Sequence, residues 1–400
     1  MEQRKLLTLC FGLLLCSCSQ NDNNESDIIL IDASKKYPKL ELRLSDIAEI
    51  AYIPLKSDDV ILGYPSVTRA LFVYRDKIVL GDKISTDPKL LVYDRTGTHI
   101  QTIGSYGRGP GEYMGIRDFV VDTLSNEIIL YDNVQRMLIV YGLDGKFRRN
   151  KSLNQIDSGQ TMLTGIENMN DSTLLVFNNA SLIFSERRGG VELSTGKTTM
   201  ILDKQTLSAI PSQSFGFARP SYSDRPTILP YLTTTKEGVY ITSERSDTIF
   251  FMNKNLEVIP KFRDVTADYK NGYKVRIFPT METERYVFFV TVEVEKRLDV
   301  INSNPFLISF FAYDKKMQQL FSLNDDLSEQ IGKYDRVRLV INNKSSLSEF
   351  NLTLNHDYAS ALLSPEFLFE HDDQLPMELK EITKNLQEGD EPVLMLIKFK

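Results

Sequence analysis

Tyr93-Asp94-Arg95-Thr96-Gly97 closes an apolar run and opens a polar turn, and the phrase returns along the chain. It reappears at Gly142-Leu143-Asp144-Gly145, Leu202-Asp203-Lys204-Gln205, Met252-Asn253-Lys254-Asn255 and Tyr313-Asp314-Lys315-Lys316. Each time an apolar or aromatic residue leads to Asp or Asn, whose short side chain can hydrogen-bond its own backbone and start a turn. The acidic or amide positions are 94, 144, 203, 253 and 314, so successive gaps are 50, 59, 50 and 61 residues. A four-stranded antiparallel blade takes about 40–50 residues, and longer loops stretch it. Five such hairpins, with room for one more unit after position 314, predict six blades, each turn joining a blade's two outer strands. Asp or Asn followed by Gly or Lys is expected to tolerate the positive φ of a tight hairpin.

Short apolar segments surround these turns. Leu71–Tyr74 and Lys77–Leu80 flank Arg75-Asp76, and Leu90–Tyr93, Phe119–Val121, Ile128–Tyr131, Met137–Tyr141, Leu174–Phe177, Gly238–Thr242, Thr248–Met252 and Tyr286–Val292 follow. Such runs between Gly, Asn and Asp read as strands. The spacing is hardest to register between residues 154 and 235. At the other end, Leu379, Ile382 and Leu386 share one helical face, and the stop Gly389-Asp390-Glu391-Pro392 leads into an apolar strand, Val393 to Phe399. The expected fold class is therefore all-β: a six-bladed β-propeller with a short C-terminal helix and a closing strand. That strand would pair with an N-terminal one and remove an exposed edge.

Composition narrows the function. Of 400 residues, 42% are hydrophobic and 25% charged, as in a globular chain rather than a disordered or polytopic membrane one. A net charge of −7 argues against nucleic acid as partner, because neutralising phosphates needs clustered Lys and Arg. Three His, three Cys and no Trp are thin stock for metal or thiol chemistry, and no cofactor or metal is expected. His371-Asp372-Asp373 reads as a solvated acidic turn.

The N-terminus is an address. Arg4 and Lys5 precede an apolar run, Leu6 to Leu15, too short to span a bilayer and suited to a signal peptide. Leu15-Cys16-Ser17-Cys18 resembles the bacterial lipobox, which implies cleavage before Cys18 and lipidation of its thiol. Cys10 and Cys16 would leave with the signal, so the mature chain would carry no free thiol and no disulfide. Residues 1–17 are thus expected as a lipoprotein signal peptide, 18–27 as a lipidated flexible tether and 28–400 as the propeller. The membrane is a partner through this lipid. No Asp follows Cys18 to signal inner-membrane retention, so the expected address is the outer membrane, on its periplasmic or cell-surface face.

The stretch Gly104-Ser-Tyr-Gly107-Arg108-Gly109-Pro110-Gly111-Glu112-Tyr113, with Asp118-Phe119-Val-Val-Asp122 after it, is similar to the glycine-rich turn and following strand of NHL-type propeller repeats. More closely, it resembles six-bladed β-propeller lipoproteins of Bacteroidota envelopes, as do Leu42-Arg-Leu-Ser45-Asp46-Ile47 and the C-terminal Leu379-to-Met395 region. The resemblance covers about residues 28 to 400 and implies the fold and the anchor, with no activity. A nucleotide cradle would need a helix directly after the glycines, whereas Pro110 and Gly111 lead towards a strand. An inter-blade connection accounts for the run, with Arg108 and Glu112 as candidates for a ligand-facing position.

The other candidate site is the segment from Pro211 to Tyr231, rich in aromatics, arginines and prolines. Arg219, Tyr222 and Arg225 there could hold an anionic ligand, since guanidinium forks pair with carboxylates or sulfates and aromatics stack on sugar faces. With no nucleophile motif, the expected function is a non-catalytic binding or scaffold module for a glycan, peptide or envelope protein partner. The alternative is a polysaccharide lyase or hydrolase with its site on the channel face.

Overall fold

The computed structural model describes residues 28–42, 44–57, 71–82, 87–155, 163–178, 199–210, 230–243, 246–266, 273–295, 300–301, 307–323, 353–355 and 358–400. Their strands form the six blades of a β-propeller. From the inner strand outwards, blade 1 holds Leu71–Tyr74, Lys77–Asp82, Lys89–Asp94 and His99–Ile103, and blade 2 holds Asp118–Asp122, Glu127–Asp132, Met137–Gly142 and Phe147–Ser152. Blade 3 holds Leu163–Asn168, Thr173–Asn178 and Thr199–Asp203, with a single Leu202–Ala209 bridge in place of a fourth strand. Pro230–Thr234, Gly238–Ser243, Thr248–Asn253 and Val258–Asp264 make blade 4; Tyr273–Glu282, Tyr286–Glu295, Leu307–Asp314 and Gln319–Leu323 make blade 5.

Blade 6 closes the ring. Thr353–Asn355, Tyr358–Leu363 and Val393–Phe399 take their outer strand from the N-terminal part of the chain, Ala48–Pro54, which runs antiparallel to Val393–Phe399 in register from Val393 opposite Pro54 to Phe399 opposite Ala48. This is the expected closing strand. It also explains why the turn phrase occurs five times for six blades: the sixth outer strand arrives from elsewhere and needs no hairpin.

The apolar residues divide into six clusters among the described residues, one at each interface between neighbouring blades. Strand pleating decides the division. Ile128 and Leu130 face blade 1, while Ile129 and Tyr131 face blade 3. Both faces of these strands are buried, so they read as unbroken apolar runs instead of alternating ones. Each fully buried Leu or Ile contributes about 1.5–3 kcal/mol, so the ring is held mainly by sheet-on-sheet packing.

Two features go beyond the sequence reading. Ile29–Ile31 lies parallel to Val258–Asp264 as a fifth strand on blade 4, and Lys39–Leu40 lies parallel to Gln319–Leu323 on blade 5. The N-terminal segment therefore runs round the outer edges of blades 4, 5 and 6 in turn. Between the second and third strands of blade 6, the expected helix is Met377–Thr383, and a further helix, Pro365–Glu370, precedes it. Ser364 caps the latter by accepting from the Phe367 N–H, and Pro365 stands in its first turn. Leu368, Leu375 and Leu379 pack into the interface with blade 5.

The turn chemistry is partly corrected. Gly97 and Gly145 do take positive φ, at 88° and 78°. In the other three turns the left-handed position is Leu207, Leu256 or Gln318, at 52°, 68° and 51°, and not the Lys that follows the Asp or Asn.

Candidate functional site

In an antiparallel blade the turn joining the first two strands and the turn joining the last two emerge on the same face. The repeated phrase uses that geometry. Its Asp or Asn folds back on the backbone: Asp94 Oδ1 accepts from Thr96 N–H at 2.8 Å, Asp203 Oδ1 from Thr206 N–H at 2.7 Å, Asn253 Oδ1 from Asn255 N–H at 2.9 Å and Asp314 Oδ1 from Lys316 N–H at 2.9 Å. The basic residue that follows is then free to reach across to an inner turn. Arg95 donates to the Arg75 carbonyl, and Lys315 to Glu282 Oε1 at 2.8 Å and the Thr283 carbonyl at 2.7 Å. Lys204 and Lys254 reach further, into the preceding blade. Lys204 Nζ donates to Asp122 Oδ2 at 3.0 Å, and Lys254 Nζ to the Asn168 carbonyl at 2.9 Å.

These two lysines, with Lys236 on the inner turn of blade 4, line a cavity of about 330 Å³. Five blades contribute to it: Phe72 from blade 1, Asp122 and Leu124 from blade 2, Asn168, Asn170, Asp171 and Lys204 from blade 3, Lys236 and Lys254 from blade 4, and Tyr358 from blade 6. A cavity shared among so many blades opens at the mouth of the central channel. Its polar walls are cross-braced. The Asn168 side chain donates to the Val121 carbonyl of blade 2, and the Asn170 side chain to the Lys254 carbonyl of blade 4, at 2.9 and 2.8 Å.

Burial alters the charges here. Asp122 and Lys204 are 4% and 8% exposed. Burial alone would raise the Asp122 carboxyl, but hydrogen bonds from Ser125 and Lys204, the Lys204 charge and the Leu124 N–H outweigh it and hold it below its ordinary value. For Lys254, burial pushes the ammonium down, Glu167 and Glu237 oppose the fall, and Lys204 adds to it. Lys236 is exposed and has no ion pair among the described residues. The pocket thus offers positive groups, amides and two aromatic side chains, Phe72 and Tyr358, a combination suited to holding a polar ligand.

The residues expected from sequence lie elsewhere. The glycine run is the connection from blade 1 to blade 2, at the opposite end of the strands from the pocket. Ser105–Tyr106 pairs there with Glu112–Tyr113 in parallel. Gly104 and Gly111 have positive φ, and a Cβ would lie 2.7 Å from the Tyr141 hydroxyl or from Phe147 Cβ. Glu112 is engaged within the turn: its Oε2 accepts from Gly109 N–H at 2.7 Å. Arg108 is exposed, with Nε 2.9 Å from Met114 Sδ. The two are neighbours, but they do not meet the lysine pocket. Cys18, Arg219, Tyr222 and Arg225 lie outside the described residues. His371 Nδ1 donates to the Phe367 carbonyl at the end of its helix. Sequence reasoning quoted Lys204 and Lys254 only as turn residues. Their signal was their shared place in the repeated phrase.

Comparison places this architecture among known folds. Residues 27–398 match a family model described as a domain of unknown function, DUF4934. Among solved structures, an exported protein of Bacteroides fragilis is similar at 17% identity and a TM-score of 0.60, with 93% of this chain and 99% of that one covered. A DUF4221 member from Bacteroides vulgatus stands at 11% identity and 0.42, covering 88% of this chain and 97% of that one. The virginiamycin B lyase of Staphylococcus aureus stands at 6% and 0.42, covering 87% and 99%. No curated protein matches the chain in sequence.

Proposed function

We propose that this chain, which belongs to the DUF4934 family, is an envelope-anchored, non-catalytic binding or scaffold module. The observation that carries the reading is the polar cavity shared by five blades at the channel mouth. Binding sites favour concave surfaces with a few fixed polar groups, and this one is braced by hydrogen bonds across three blades. The lipobox-like Cys18 supplies the anchor, and the exported relative from Bacteroides fragilis agrees with an address outside the cytoplasm. The partner classes are a glycan, a peptide or an envelope protein.

The test is recovery of the native protein from its envelope with whatever it holds. A bound molecule that is lost in Asp171→Trp, which fills the pocket rim, is the expected result. A partner retained undiminished by that variant would overturn the pocket as its seat. Arg219→Ala and Arg225→Ala in the same recovery test the arginine-rich segment, where loss of a charge-assisted hydrogen bond should weaken binding about tenfold to a hundredfold. One observation favours a second reading: the lowered Lys254 ammonium is what a lyase would need as a base. Polysaccharide turnover by the purified protein, abolished in Lys254→Gln, would replace binding with catalysis.

A further inference from the structure

We propose that Lys236 and Lys254, with Lys204 beside them, form a seat for a tetrahedral oxyanion of the phosphate type. This rests on the reading of the channel-mouth cavity as the ligand site and names the chemistry it takes. The three lysines come from three separate turns on two blades and line one cavity. Lys204 is committed to Asp122, so its charge is fixed in place. Lys254 gives one N–H to the Asn168 carbonyl, and an ammonium has three, so two stay available to a ligand. Lys236 has no hydrogen-bond or ion-pair partner among the described residues.

The kind of cation selects the anion. Among the described residues, no arginine lines the cavity. A guanidinium fork matches a planar carboxylate, whereas ammoniums act as point charges that can approach a tetrahedral oxyanion from different directions. Among the described residues, the acidic groups nearby are few. Asp122 is spent on Lys204, Asp171 lies on the lining, and Glu167 and Glu237 act on Lys254 from a distance. Glu167 and Glu237 offset part of the fall in the Lys254 ammonium.

A linkage follows. Burial and Lys204 push the free Lys254 ammonium down. A bound oxyanion would favour its charged form, so binding should take up protons as pH rises towards the lowered value. Affinity should then fall at a pH below that at which an ordinary lysine loses its proton.

Calorimetry of the mature chain with inorganic phosphate tests the seat. The expected result is one site, weakened about tenfold or more in Lys236→Gln and in Lys254→Gln, largely kept in Lys254→Arg, and unchanged in Lys384→Gln on the remote helix. Lys236 makes no contact the fold depends on, so its variant keeps the test sound should Lys254→Gln disturb blade 3. A second arm uses vesicles of phosphatidylglycerol. Vesicle binding displaced by phosphate identifies a lipid headgroup as the source of the oxyanion, and phosphate binding without vesicle binding identifies a soluble phosphate ester; both support the seat. Absence of phosphate binding, or binding unchanged in both glutamine variants and independent of pH, would overturn it. A glycan or peptide still lost in Asp171→Trp would then leave the pocket standing as a binding site of different chemistry.

Discussion

Lys204 and Asp122 face each other at 3.0 Å as an almost wholly buried ion pair. Removing one partner of such a pair leaves an uncompensated buried charge, at a cost of about 3–5 kcal/mol. Lys204→Met should therefore lower the urea midpoint sharply, and Asp122→Asn added to it should recover much of the loss. Glu391 is the reverse case. It stands beside Tyr93 where blade 6 meets blade 1, both carboxylate oxygens buried, and burial pushes its carboxyl up to about 7 while the Tyr93 hydroxyl offsets part of the rise. The folded protein thus holds this proton more tightly than the unfolded chain. The resulting stability is complete below the ordinary value of 4.5 and is lost as pH rises through about 7. Chemical denaturation at pH 5 and pH 8 should show the decline, and Glu391→Gln, which cannot ionise, should flatten it. None of these three residues stands out in the sequence as buried or paired, because burial and partnership across blades are properties of the closed ring.

At the scale of elements, the hairpins were legible and the edges were not. The five turn phrases fall where the blades need them, because an Asp or Asn that caps its own turn is a local feature. The outer strand Phe147–Ser152 escaped notice because one side of it faces solvent, leaving a mixed, charged sequence. The helix Pro365–Glu370 is too short to show a period, although Ser364-Pro365-Glu366 is a fair start signal. The strand Ile29–Ile31 is a short apolar run, but its parallel partner more than two hundred residues away is not a local feature. Its role is structural: Ile31 is fully buried with Phe262 and Phe289. Ile31→Ala should cost about 2–5 kcal/mol, measured by thermal or urea unfolding. A variant as stable as the parent would make this segment part of the tether instead. The candidate site was half visible. Its lysines sat in the quoted phrase, but their convergence depends on the inward reach of turns from neighbouring blades.

For the whole molecule, the ring brings residues from several parts of the chain to one channel mouth, and the proposed anchor at Cys18 would decide what that mouth can meet. If Cys18 carries lipid, metabolic palmitate labelling should mark the protein and disappear in Cys18→Ala; label that survives the substitution would place the anchor elsewhere or remove it. The central claim is that the channel-mouth pocket is occupied by a ligand in the envelope. Lysine acetylation rates at Lys236 and Lys254, read by mass spectrometry in intact envelopes and in the purified, ligand-free protein, address it most directly. Occupancy predicts that both lysines react more slowly in the envelope while Lys384, on the remote helix, reacts equally in the two. Equal rates at Lys236 and Lys254 in both preparations would contradict it.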